Sequence, residues 1–239
     1  MRKDKKLYEG KTKRLYTTDN PDLLIQEFKH DAVAANGAKS TTVKGKGVVN
    51  NRVSAHLFRY LESYHVPTHF VKSLSDTEML VKRLDIIPVE VVVRNVAVGS
   101  LGERFGVEQG EDLPHPVVEY YLKDDERHDP MLNEDHVVAF GHASGGDLGH
   151  IRRMALKINV VLRDFFLRRN LKLLDVKLEF GRAKGKILVG DEISLDTCRL
   201  QDLQSGQRLD RDYLVADPVR AEQLYQDFLV RVLGQAGQG

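Results

Sequence analysis

The sequence predicts an α+β protein with two lobes. Three observations support this: strand-like runs dominate the first part of the chain, helical and strand patterns mix in the rest, and 239 residues suffice for two lobes or one large domain. The predicted division places a β-rich lobe at residues 1–85, a larger mixed α/β lobe at 86–233 and a flexible tail at 234–239, where the sequence is GQAGQG.

KLYEGKTKRLYTT carries aromatic and threonine residues on either side of Gly10-Lys11-Thr12, and LLIQEFKH follows; together they predict a small antiparallel sheet that opens with a glycine-containing hairpin. In GKGVVNNRVSAHLFRYLESYHVP, Val49, Val53, Leu57, Tyr60, Leu61 and Tyr64 recur at helical spacing, and Pro67 lies just past the end. Three β-rich runs come next, THFVKSL, EMLVKRLDIIP and VEVVVRNVAVGS. Asp85-Ile86-Ile87-Pro88 interrupts them and reads as an inter-lobe hinge. From Ser100 to Gly149 the pattern is irregular, with prolines at 114, 116 and 130 and glycines at 141, 145, 146 and 149; such a stretch predicts loops that carry function. IRRMALKINVVLRDFFLRRN is the clearest amphipathic helix, with Ile151, Met154, Ala155, Ile158, Val161, Leu162, Phe165 and Phe166 on one face. LEFGRAKGKILVGDE then reads as a hairpin turning between Gly181 and Lys186. A last helix starts at Asp217-Pro218 and buries Ala221, Leu224, Tyr225, Phe228 and Val232.

Thirty-six Lys and Arg against 35 Asp and Glu leave a net charge of +1. That balance gives no support for a nucleic-acid surface or a polybasic membrane patch, though it allows a local basic pocket for a small anion. The single cysteine, Cys198, excludes an intramolecular disulfide and a multi-cysteine metal site, and has no adjacent base to activate it. No apolar run approaches the ~18 residues of a membrane span, and none follows the charged N-terminus as in a signal peptide. A soluble, cytoplasmic protein is expected.

Chemistry-bearing residues form three groups. In LLDVKLEF, Asp175, Lys177 and Glu179 alternate with apolar residues and share one strand face; pairing of 179 with 189 would add Asp191 to it. Carboxylates so gathered are either a solvated edge or a site for Mg²⁺, which favours oxygen ligands and bridges to phosphates. Gly10-Lys11-Thr12-Lys13 is either a basic turn or a phosphate-covering lid, and it lacks the Walker A pattern. Arg94, delivered by the run VEVVV and followed by Gly99-Ser100 at the head of SLGERF, suits an anion site or a structural salt bridge. His128-Asp129-Pro130 could supply an acid–base pair, or Asp129 could simply cap a turn.

LYEGKTKRLY, GKGVVNNRVSAHLF, VKRLDIIPVEVVVRNVAVGSLGERFG, HDPMLNEDH and LDVKLEFG…LVGDE occur in order across about residues 7 to 200. In this the sequence resembles the SAICAR synthetase (phosphoribosylaminoimidazole-succinocarboxamide synthase) family. The resemblance implies a two-lobed ATP-grasp-like fold with ATP in the cleft, a homodimer, and an ATP-dependent ligase joining L-aspartate to the carboxylate of the ribonucleotide CAIR. It implies nucleotide contacts from Gly10, Lys11, Lys13, Lys82, Leu84 and Lys123, and Mg²⁺ held by Glu179 and Asp191. Arg94, Ser100 and Arg199 would hold the ribonucleotide phosphate, while Lys177 and Asp129 would face the reacting carboxylate and amine. A kinase-like phosphotransferase, a paralogue using a different amine, and a non-catalytic nucleotide-binding protein are the competing readings.

Departures from the family pattern cluster late. Where the family reads F-S-P-D-[GS]-[SC]-R, this chain has Ile193-Ser194-Leu195-Asp196-Thr197-Cys198-Arg199, and Gln201 stands where a Trp is common. The family's L-D-K-D-x-[FY]-R is met by Leu209-Asp210-Arg211-Asp212-Tyr213-Leu214-Val215, so its last basic residue is Val215 here. If the last basic residue of that motif binds the aspartate or shapes the C-terminal loop, aspartate affinity or amine specificity differs here.

Overall fold

The computed structural model describes residues 2–33, 40–209 and 218–234. The chain divides into two compact units, Met1–Arg83 with Glu192–Asp196 and Gln207–Gly239, and Leu84–Asp191 with Thr197–Gly206.

The first unit contains β1 (Lys3–Glu9), β2 (Lys13–Thr18), β3 (Leu23–Phe28), β4 (Asp31–Val33), β5 (Ser40–Thr42), α1 (Lys46–Ser63), β6 (Phe70–Ser73) and β7 (Glu78–Lys82). Five strands form an antiparallel sheet of order β1-β2-β3-β7-β6, opened by the expected hairpin around Gly10. The helical spacing in the sequence has its cause in packing: Val49, Val53, Leu57 and Leu61 are fully buried, against β3, β6 and β7. Tyr60 is half-buried and Tyr64 exposed, so the apolar stripe ends before they do. The last helix, α5 (Pro218–Leu233), also belongs to this unit, with Ala221, Tyr225, Phe228 and Val232 buried and its face packed on α1. The expected single lobe 86–233 therefore differs from the observed division, because α5 buries its stripe against α1. Leu224 is half-buried. Asp217 lies outside the described residues.

The second unit contains β8 (Asp85–Val96), α2 (Ser100–Phe105), β9 (Asp112–Leu122), β10 (Met131–Leu132), α3 (Glu134–Ala139), α4 (Gly145–Leu167), β11 (Leu171–Ala183), β12 (Lys186–Val189) and β13 (Cys198–Asp202). Its strands lie in the order β10-β9-β8-β11-β13, with β12 paired to β11, and all these pairings are antiparallel. α4 packs on β8, β9 and β11.

Four expectations are corrected here. Asp85–Pro88 is the start of a continuous strand, not a hinge; the β8–β11 register slips between Glu179 and Gly181, alongside Pro88, which has no N–H to offer the ladder. The irregular region holds the 11-residue β9, tolerated because the register also slips between Arg94 and Val96, past Pro114 and Pro116. α4 starts at Gly145 rather than near Ile151, since the Ser144 hydroxyl accepts the Asp147 N–H at 3.1 Å and caps it. Finally, Phe180 rather than Glu179 pairs with Val189, and β11 runs on to Ala183. Lys184 and Gly185, at φ 50° and 75°, make a two-residue hairpin turn in which both positions are left-handed.

Candidate active site

Alternation along antiparallel strands puts every second side chain on one face, and directly paired residues share that face. In the second unit Asp175 pairs with Arg94 on one side and Arg199 on the other, while Val92 pairs with Glu119 and Lys177, and Glu90 with Tyr121 and Glu179. Arg94, Glu90, Glu119, Tyr121, Asp175, Lys177, Glu179 and Arg199 thus lie on one face of the sheet. The opposite face carries Asn95, whose amide exchanges reciprocal 2.9 Å hydrogen bonds with Asn159 of α4.

At one end of this face Arg94 is buried and densely partnered. Its Nε donates to Glu119 Oε2 at 2.5 Å, and its Nη1 to Asp175 Oδ2 at 3.0 Å and to the Val98 carbonyl at 3.2 Å. Nη2 donates to Tyr121 Oη at 3.2 Å and Ser100 Oγ at 3.4 Å. Asp175 Oδ2 also accepts from Arg199 Nη1 at 2.8 Å. Gly99 has φ 59° and ψ −139°, a conformation closed to side-chain-bearing residues, and it lies alongside the Arg199 guanidinium. Burial works against both ionised partners Arg94 and Glu119, yet their mutual hydrogen bond and charge hold Arg94 above and Glu119 below the usual value.

At the other end Lys177 Nζ donates to Glu90 Oε1 at 2.7 Å and stands 3.9 Å from Glu179 Oε1; Glu179 Oε2 pairs with Lys123. Burial opposes the Lys177 charge, but the Glu90, Glu179 and Asp191 carboxylates outweigh it and raise its pKa. The one-residue difference in register would turn Asp191 to the opposite face if the strand continued. Instead Asp191 takes φ 59° just past β12, after the Gly190 N–H donates to the Glu179 carbonyl at 2.9 Å, and its carboxylate acts on Lys177. The acids are neither a solvated edge nor a simple strand face. Asp129, at φ 47°, uses Oδ1 to accept the Asp124 N–H at 2.8 Å, which is the turn-capping role.

Of the remaining expected residues, the first unit holds Gly10, Lys11, Lys13 and Lys82. Gly10 closes its hairpin by donating to the Lys13 carbonyl at 2.9 Å; Lys11 is exposed there. Lys13 pairs with the buried Glu192 at 2.9 Å, and Glu192 also accepts from Asn50 at 3.2 Å and from Ser194 at 2.5 Å. Lys82 Nζ donates to the Thr68 carbonyl at 2.9 Å. Leu84, half-buried, opens the second unit.

The SAICAR synthetase family model matches residues 6–232. The phosphoribosylaminoimidazole-succinocarboxamide synthase of Chloroherpeton thalassium is 52% identical over 234 residues, covering 98% of this chain and 100% of that one. The crystal structure of the synthase from Ehrlichia chaffeensis superposes with a TM-score of 0.93 at 37% identity, covering 98% and 100% of the two chains. A SAICAR synthetase in complex with ADP gives 0.90 at 40% identity, covering 97% and 99%. The chain belongs to the SAICAR synthetase family.

Within this member of the SAICAR synthetase family, the sequence reveals the alternating acids of β11 but not Glu90, Glu119 and Tyr121. Glu90 was within reach, since VEVVVRN alternates Glu90, Val92 and Arg94 just as LLDVKLEF alternates its charges. Glu119 and Tyr121 sit on the strand that the prolines concealed. In the segment that departs from the family, Ile193, Leu195 and Thr197 are buried; Val215 lies outside the described residues.

Proposed function

We infer that this protein joins L-aspartate to the carboxylate of CAIR at the expense of ATP, giving SAICAR, ADP and phosphate. What supports the geometry of that reading is one strand face: Asp175 holds guanidinium groups at one end, and Lys177 and Glu179 gather acids and ammonium groups at the other. Successive same-face residues are about 6.6 Å apart, so a substrate lying along β11 can place its phosphate at Arg94, Ser100 and Arg199 and its carboxylate near Lys177.

A carboxylate is a poor electrophile because its leaving group would be oxide. Transfer of the γ-phosphoryl group from ATP gives an acyl phosphate; the amine of aspartate attacks the carbonyl carbon, phosphate leaves with the C–O bonding pair, and the amine loses a proton. No protein nucleophile is needed. The Lys177 ammonium, kept protonated by its acids, balances the charge on the carboxylate and then on the phosphoryl oxygens. Asp129 is proposed to face the amine.

For the nucleotide we propose Gly10, Lys11, Lys13, Lys82, Leu84 and Lys123, as the family resemblance implies. Glu179 and Asp191 would hold Mg²⁺, since their carboxylates are the hard oxygen donors that this ion favours. When bound, the ion neutralises phosphate charge. Among the described residues no helix is long and apolar enough to cross a membrane. Family likeness also supports a cytoplasmic homodimer.

The test is a three-substrate assay against a panel of amino acids. Purified protein with ATP, Mg²⁺ and CAIR is expected to release phosphate only when L-aspartate is added, with amide formed in step. Phosphate transfer to a hydroxyl acceptor without amide would overturn the assignment in favour of a phosphotransferase, and a better amine than aspartate would overturn the second substrate.

A further inference from the structure

Arg94 presents a difficulty for any direct contact with a ligand. A guanidinium has five N–H groups, and all of those on Arg94 face protein acceptors, with the side chain only 4% exposed. The two contacts on Nη2 go to neutral hydroxyl groups, Tyr121 at 3.2 Å and Ser100 at 3.4 Å, so at most this edge can be given to a phosphate oxygen. One Arg94 edge, the Ser100 hydroxyl and Arg199 supply two cationic partners, and the three terminal oxygens of a phosphate dianion can accept from a third.

Arg104 stands in the same place. It lies on α2, and its Nη2 donates to Glu119 Oε1, the second oxygen of the carboxylate that Arg94 engages through Oε2. Its Nε donates to the carbonyl of Ser100 at 3.1 Å, so Arg94 and Arg104 grip the same residue, one by its hydroxyl and one by its backbone. Besides lying 5.4 Å from the centre of the Phe105 ring, Arg104 donates from Nη1 to the thioether of Met131, a weak acceptor that a charged oxygen readily replaces. Unlike Arg94, the side chain is 31% exposed. The three guanidinium groups Arg94, Arg104 and Arg199 are linked through two carboxylates, Glu119 and Asp175.

We propose that Arg104 is a direct ligand for the phosphate of the ribonucleotide, and that Glu119 is the positioning residue that holds Arg94 and Arg104 for it. The proposal rests on the reading of Arg94, Ser100 and Arg199 as the ribonucleotide site. Exchange of the Met131 thioether for a phosphate oxygen gives Arg104 a charge-assisted hydrogen bond that the unliganded protein lacks, while Glu119 keeps the two guanidinium groups from repelling each other.

The experiment is calorimetric titration of CAIR and of its unphosphorylated ribonucleoside into the parent protein, Arg104→Gln and Arg104→Lys. Arg104→Gln is expected to weaken CAIR binding about tenfold or more, and to change nucleoside binding by no more than about twofold. Arg104→Lys is expected to fall between, since it keeps the charge but not the planar fork. In steady state the loss should appear in KM for CAIR rather than in kcat. Equal weakening of both ligands would make Arg104 a purely structural residue, and unchanged CAIR binding would remove it from the site; either result overturns the proposal. If Arg104→Gln no longer unfolds cooperatively, Arg104→Lys decides by the same two criteria. A parent protein that binds CAIR and nucleoside equally would instead overturn the ribonucleotide site itself.

Discussion

Single residues on the β11 face show how register converts a pattern into chemistry. Lys177 is useful because it is surrounded: one acid would pair it, but Glu90, Glu179 and Asp191 together keep it an ammonium despite burial. Asp191 reaches that group only through its left-handed backbone, a conformation that Asp tolerates better than most residues. Glu179→Gln and Asp191→Asn are therefore expected to lower turnover by orders of magnitude while leaving circular dichroism and the unfolding transition close to those of the parent. Near-normal phosphate release in either variant would take that acid out of the proposed metal pair. The alternation of Asp175, Lys177 and Glu179 was readable from the sequence. That Glu90 is the closest partner of Lys177 was not, because Glu90 lies 87 positions away and meets it only across the sheet.

At the level of elements, the sequence and the structure part where local chemistry argues against the final fold. Gly145, Gly146 and Gly149 disfavour a helix, yet α4 includes all three, because a capped N-terminus and burial of Leu148 and Ile151 on the sheet outweigh about 1 kcal/mol per glycine. Ser144→Ala is expected to cost about 1 kcal/mol in denaturant unfolding. Asp147, in the first turn, is held below the usual carboxylate range chiefly by the hydrogen bond that Arg182 donates to it at 2.8 Å. A depressed folded pKa stabilises the protein above the unfolded value, near 4, and that stabilisation is lost as pH falls through the lower folded value. The stability difference between the parent and Asp147→Asn should thus be largest near neutrality and shrink below about pH 4. A difference that stays constant down to about pH 3 would contradict this account. Strand β9 failed for the same kind of reason: its prolines are real obstacles to a ladder, and only a slipped register against β8 bypasses them.

In the molecule as a whole, residues 192–196 belong with the first unit, where polar and apolar side chains alternate. Ile193 and Leu195 are buried as core, while Glu192 takes Lys13 and Asn50, and Asp196 takes Lys46 at 2.5 Å, Asn50 at 2.9 Å and Tyr225 of α5 at 3.4 Å. Lys46 is fully buried, so its charge depends on that one carboxylate partner. Asp196→Asn is expected to destabilise the protein by about 3–5 kcal/mol, and a double change of Lys46→Met with Asp196→Leu to recover much of it, since the cost lies in the uncompensated charge. A loss below about 1 kcal/mol for Asp196→Asn in denaturant unfolding would show that the pair is dispensable. The departures from the family pattern at Ile193 and Leu195 thus fall on buried apolar positions, where shape and volume decide what is tolerated.

By itself the sequence determined the class of fold, the amphipathic helices and the alternating charges of β11, because helical and strand periods are local and survive without knowledge of partners. It also determined the family, through motifs spread over nearly the whole chain. Tertiary structure alone decided which strand lies beside β11, that Glu90, Glu119 and Arg104 join its charged face, and that α5 packs on α1. Those outcomes depend on register slips, on glycine and proline positions whose cost is offset elsewhere, and on burial against distant segments, none of which a local pattern contains.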